Sequence, residues 1–135
     1  MKVNDGRNKQ ISVMYCDGTK VSQWYIYLIN AEGYTGVALT DTPASHAGWS
    51  ELTGYASATR PAFVPGTPAG GLLTGSAADF VATTNIRIKG YGLVSSSTKG
   101  GTTGIFDQIV LLSQVVEKAT GESFKIIPKL RCAGN

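Results

Sequence analysis

Residues 77–94 carry the longest unbroken two-residue alternation in the chain. Phe80, Ala82, Thr84, Ile86, Ile88, Gly90 and Gly92 share one parity, and Val81, Thr83, Asn85, Arg87, Lys89 and Tyr91 share the other. Side chains alternate across a strand, so this pattern gives one apolar face and one polar face, as a half-buried antiparallel sheet requires. Gly90 and Gly92 interrupt the apolar side and predict a bulge or a close approach of another backbone. A helical fold would need a charged outer face. Only 16% of the residues are charged, while Gly alone accounts for 17 of 135. That balance favours short strands joined by turns.

The rest of the chain reads the same way. Residues 24–30 (Trp-Tyr-Ile-Tyr-Leu-Ile-Asn) are apolar on both parities, which predicts a central strand covered on both sides. Alternation predicts strands at 10–16 and 49–55, with Asp17-Gly18 as a turn. Residues 33–46 read as an irregular loop, with a possible helical turn where Pro43 follows Asp41 and Thr42. Residues 56–71, with Pro61, Pro65 and Pro68, read as extended and short of ladder hydrogen bonds. The Gly/Ser/Thr stretch 95–104 reads as a flexible exposed loop. Residues 105–114 fit a strand better than a helix. Residues 118–122 read as a hairpin turn, and 123–132 as an edge strand broken at Pro128 and guarded by Lys125, Lys129 and Arg131. The expected fold is all-β: a single-domain antiparallel β-sandwich over 1–135, jelly-roll-like or immunoglobulin-like, with a polar N-terminal arm at 1–9.

Several chemistries lack their residues. A net charge of +3 with no dense Lys/Arg cluster gives no nucleic-acid footprint. No apolar run approaches the roughly 18 residues of a membrane span, and no secretory signal is visible. His46 is the only histidine, and Cys16 and Cys132 form no Cys-x-x-Cys pair, so no metal site or cofactor is expected. The two cysteines are either free thiols or one bridge between the first and last strands, which needs a Cα separation below about 7 Å. Asp41, Ser45 and His46 lie close in sequence but without a Gly-x-Ser-x-Gly elbow, so His46 is expected to order the 42–49 loop rather than catalyse. Lys99-Gly100-Gly101-Thr102 lacks the ending of a phosphate loop. No enzyme is expected. The candidates for interface contacts or loop ordering are Trp49, Tyr55, Arg60, Pro61, Lys99, Lys129 and Arg131.

The middle of the chain carries a recognisable pattern. Trp24-Tyr25-Ile26-Tyr27-Leu28-Ile29 is followed by Ala38-Leu39-Thr40-Asp41-Thr42-Pro43-Ala44-Ser45-His46-Ala47-Gly48-Trp49-Ser50-Glu51-Leu52. Tyr55, Ala58-Thr59-Arg60-Pro61-Ala62-Phe63 and Ser97-Thr98-Lys99-Gly100-Gly101-Thr102-Thr103-Gly104 come after it. Over residues 22–116 this resembles a family of small structural proteins of tailed bacteriophages. It departs from that family at Tyr27 and at 125–132. The resemblance implies a virion protein made in the host bacterial cytoplasm. It would decorate and cement the capsid exterior as a homo-oligomer against the major capsid protein, with no nucleic acid or membrane partner. The loops at 33–46, 56–75 and 95–104 would lie across capsid subunits. A tail, baseplate or fibre component is the alternative reading, and a receptor- or carbohydrate-binding module a more distant one.

Overall fold

A computed structural model describes residues 1–131, so Cys132 and any bridge to it lie outside the described residues. The elements are α1 (Asn4–Tyr15), β1 (Tyr25–Asn30), β2 (Glu51–Leu52), β3 (Leu72–Thr74), β4 (Ala78–Val81), β5 (Ile86–Val94), β6 (Phe106–Lys118), β7 (Ser123–Ile126) and β8 (Lys129–Arg131). All strand pairs are antiparallel. One sheet has the order β2-β1-β5-β6, and β3-β8 and β4-β7 form two short ladders. Chain continuity makes the short ladders one ribbon, because the Gly75 N–H donates to the Pro128 carbonyl at 2.8 Å where both strands are interrupted. Proline has no N–H to give the ladder, which accounts for the break at 128.

The ribbon covers one face of the four-stranded sheet. Phe80, Ala78, Ile126 and Leu130 pack there with Ile26, Leu28, Ile88 and Leu93. The opposite face is covered by the chain between β1 and β2 and by the N-terminus, through Trp49 and Val3 against Tyr27, Ile29, Val94, Phe106 and Ile109. The fold is therefore all-β and sandwich-like, with β1 buried on both sides as its doubly apolar sequence predicts.

Two bulges in the β5–β6 pairing, between Ile88 and Gly90 and between Gly92 and Val94, correct the simple alternation. After the first bulge the parity flips. Tyr91, expected on the polar face, is buried with the ribbon-side core, and its hydroxyl accepts the Lys129 N–H at 3.3 Å. Gly92 passes to the other face and lies opposite Tyr27. The Tyr27 hydroxyl crosses it to donate to the Gln108 carbonyl at 3.3 Å. A methyl group on Gly92 would collide with both oxygens. The expected strand over 77–94 is also divided, since the chain bends at 82–85 between β4 and β5.

The largest departure is at the N-terminus, where neither the arm at 1–9 nor the strand at 10–16 forms. Met1–Val3 instead adds to the edge of β6. The Ile109 N–H donates to the Met1 carbonyl at 2.8 Å, and the Val3 N–H donates to the Asp107 carbonyl at 3.1 Å. Val3 is fully buried. From this anchor the chain enters α1 with Asp5 in the first turn, where a carboxylate favours the helix dipole. Gly6 seats the helix against the Asp107 backbone, with no room for a Cβ. Apolar periodicity plays no part, because Ile11, Met14 and Tyr15 are all exposed. Asp17, in the left-handed region at φ 55°, and Gly18, whose N–H returns to the Ser12 carbonyl, end the helix.

Two smaller expectations are corrected. The strand at 49–55 is reduced to β2 and a bridge from Tyr55 to Ala82, because the Tyr55 N–H turns back onto the Thr53 carbonyl. Residues 41–44 form no helical turn. Thr42 and Ser45 exchange backbone hydrogen bonds at 2.9 and 3.0 Å, and Pro43-Ala44 close a tight reverse turn.

Gly92→Ala is expected to lower the free energy of unfolding by about 1–3 kcal/mol or more through overpacking. Gly36→Ala, whose new methyl meets open space, should change it by less than about 0.5 kcal/mol. Urea unfolding of the two variants checks this, and equal effects would contradict the close approach at Gly92.

Candidate functional site

Four of the seven candidate residues, Tyr55, Arg60, Pro61 and Lys99, converge where the chain from 51 to 63 meets loop 95–104. Arg60 is the centre. The Ile26 N–H donates to the Pro61 carbonyl at 2.8 Å and the Phe63 N–H to the Trp24 carbonyl at 2.8 Å, which lays 60–63 alongside the start of β1. That placement turns the Arg60 side chain inward, leaving the residue 1% exposed. Its Nε and Nη2 donate to the two carboxylate oxygens of Glu51, at 2.9 and 2.6 Å. Nη1 donates to the Ser96 carbonyl at 2.8 Å and Nη2 also to the Gly101 carbonyl at 3.2 Å. The Arg60 N–H adds a bond to the Ser97 carbonyl.

One guanidinium thus ties together β2, the proline-rich segment and the glycine-rich loop. The fork matches a carboxylate in two parallel bonds, as lysine could not. Glu51, whose side chain is 10% exposed, has little water to replace its partner. Removing either member of such a pair costs about 3–5 kcal/mol, because the other charge is left buried and unpaired. The guanidinium makes four hydrogen bonds to its own chain, so it acts as a clamp.

Lys99 closes the same knot from the loop side. Its Nζ donates to the Tyr55 carbonyl at 2.8 Å and to the Ser57 carbonyl at 2.7 Å, and it lies 4.3 Å from the centre of the Tyr55 ring. Loop 95–104, expected to be flexible, is instead held at Ser96, Ser97, Lys99 and Gly101. Tyr55 stands edge-on to Phe80, with ring centres 5.0 Å apart. Trp49 belongs to the opposite core face, stacked on Tyr27 at 5.5 Å and on His46 at 4.1 Å. Its indole Nε1 donates to Asp41 Oδ2 at 2.9 Å, and the same oxygen accepts the Ala38 N–H. His46 Nδ1 sits 2.8 Å from the Trp49 carbonyl. Asp41 Oδ2 thus holds an indole and a backbone amide, and Asp41, His46 and Trp49 brace the loop. Among the described residues no three His, Cys, Asp or Glu side chains gather as a metal site.

Lys129 and Arg131 stay apart from this knot. Both are exposed on β8, and neither side chain shares a hydrogen bond or ion pair with it among the described residues. Sequence reasoning missed Glu51 as the partner of Arg60. The signals available were a carboxylate two residues after Trp49, on a segment read as a strand, and its place at the end of the block that carries the resemblance.

Burial raises the pKa of three phenols, Tyr27, Tyr55 and Tyr91. For Tyr27 and Tyr55 the Glu51 carboxylate pushes the same way and Arg60 opposes it. A phenol raised in the folded state stabilises fully below its unfolded value of about 10. The unfolded chain then releases protons that the folded chain keeps, so stability falls as pH rises further. The slope approaches about 1.4 kcal/mol per pH unit for each such phenol. Urea midpoints should drop steeply above about pH 10, and Tyr27→Phe should lessen the slope by one phenol's share. A midpoint independent of pH in this range would contradict the burial of these hydroxyls.

No protein-family model matches the chain, and no curated protein matches it.

Proposed function

We propose that this chain is a structural protein of a tailed-bacteriophage virion that decorates and cements the capsid shell, lying on its exterior as a homo-oligomer against the major capsid protein. The observation that carries the reading is the Arg60 knot. It holds long loops at one end of a sandwich in a single arrangement through buried side-chain bonds. Loops ordered before contact lose little entropy on docking, so a modest contact area gives a usable affinity. The proline-rich segment works in the same direction, since Pro61, Pro65 and Pro68 restrict the free loop. On a symmetric shell each weak contact is repeated many times, and contacts between copies add avidity. The sequence pattern from 22 to 116 points to the same class of protein.

Quantitative mass spectrometry of purified virions tests the reading. A copy number equal to that of the major capsid protein, or a simple fraction of it, is expected, together with earlier heat-induced opening of particles that lack this chain. A handful of copies per virion would move the chain to the tail, baseplate or fibre. Absence from the particle would overturn the virion assignment and favour a binding module.

A further inference from the structure

A trough runs between α1 and the β3–β8 ribbon, outside the Arg60 knot. Its deeper part, about 350 Å³, has walls of Trp24, Phe63, Leu72, Leu73, Leu93 and Leu130. A second cavity of about 270 Å³ continues it along α1, past Val13, Met14 and Val21. Both share Lys2, Gln10, Trp24 and Asp107, so the two cavities adjoin. The deeper part alone lies near the small end of cavities that hold a ligand, about 300–1,000 Å³, and is sized for one or two anchoring side chains. Met14, on the wall of the second cavity, is 60% exposed.

The charges around the trough are one-sided. Among the described residues, Lys2, Lys9, Lys20 and Arg131 line it against the one carboxylate of Asp107. Lys2 already pairs with that carboxylate at 2.7 Å. Among the described residues, Lys9, Lys20 and Arg131 thus carry positive charge that no lining carboxylate balances. Trp24 stands at the junction of the two cavities, half-buried. Tryptophan is one of the residue types enriched at binding hot spots.

The geometry points to this trough as the docking site of a short extended segment of a partner protein, one with aliphatic or aromatic anchors flanked by aspartate or glutamate. The apolar walls take the anchors, and the lysine and arginine rim selects acidic flanks and speeds encounter. Two adjoining cavities suit successive side chains of a linear segment. This inference stands on the lining alone and holds whether or not the chain belongs to a capsid.

A randomised peptide library displayed on yeast, selected against the full chain, tests it. Selected sequences should be enriched in Asp and Glu beside Leu, Phe or Trp. A synthetic peptide taken from them should shift the amide or indole signals of Trp24, Leu72 and Leu73 in the labelled protein, and added salt should weaken it. Trp24→Ala should weaken it at least about tenfold. Trp24 also packs on the core, so the exposed double variant Lys20→Glu, Arg131→Glu is the second arm and should weaken the same peptide about tenfold. No enrichment, enrichment of basic or uncharged sequences, or shifts confined to another surface would overturn the proposal. So would laurate occupying the trough while the selected peptides do not, which makes it a lipid-anion site. Self-association in sedimentation that the double variant abolishes would also overturn it, making the occupant a second copy.

Discussion

A guanidinium withdrawn from water has to find acceptors for its N–H groups and an anion for its charge, and Arg60 finds the anion and four acceptor contacts within its own chain. The carboxylate comes from β2, the carbonyls come from the far side of loop 95–104, and the arginine itself sits in the proline-rich segment. None of these segments has a core of its own. β2 pairs over two residues only, and the loop is mostly Ser, Thr and Gly. Their positions depend on one polar constraint, which a hydrophobic replacement could match in energy but not in direction. The exposed ion pairs elsewhere, such as Arg87 with Glu117 and Lys125 with Asp79, contribute little by comparison.

The clamp needs a rigid floor, and β1 supplies it. Ile26 and Leu28 face the ribbon, while Tyr27 and Ile29 face the loop and N-terminal cover. Tyr27 can lie flat on the sheet only because Gly92 leaves it room. Trp49 then stacks on Tyr27, and the loop that ends at Trp49 leads directly into Glu51. The packing of one core face thereby positions the carboxylate that anchors the other set of loops.

Legibility in the sequence followed how local each cause is. The doubly apolar run at β1, the alternation of β4 and β5, and the interruption at Pro128 arise within a few residues, so pattern alone recovers them. Gly90 and Gly92 signalled an irregularity. The parity flip that buried Tyr91 depends on where β6 pairs, which no local window contains. The helix α1 reads as a strand because its apolar residues alternate and give no buried helical stripe. It forms where Met1–Val3 docks on β6 and Gly6 meets Asp107, about a hundred residues away in the chain. Arg60 and Lys99 stood out as candidates, but Glu51 did not, because a salt bridge across nine residues and a strand boundary leaves no periodic trace.

The central claim is that one buried ion pair makes three segments into one rigid face. Hydrogen exchange measured by mass spectrometry on Glu51→Gln tests it most directly. The amides of 56–61 and 95–104 should lose protection together, by about tenfold or more, while 25–30 and 106–110 keep theirs. If loop 95–104 keeps its protection in this variant, or loses it independently of 56–61, the loops are held by something other than the Arg60–Glu51 pair.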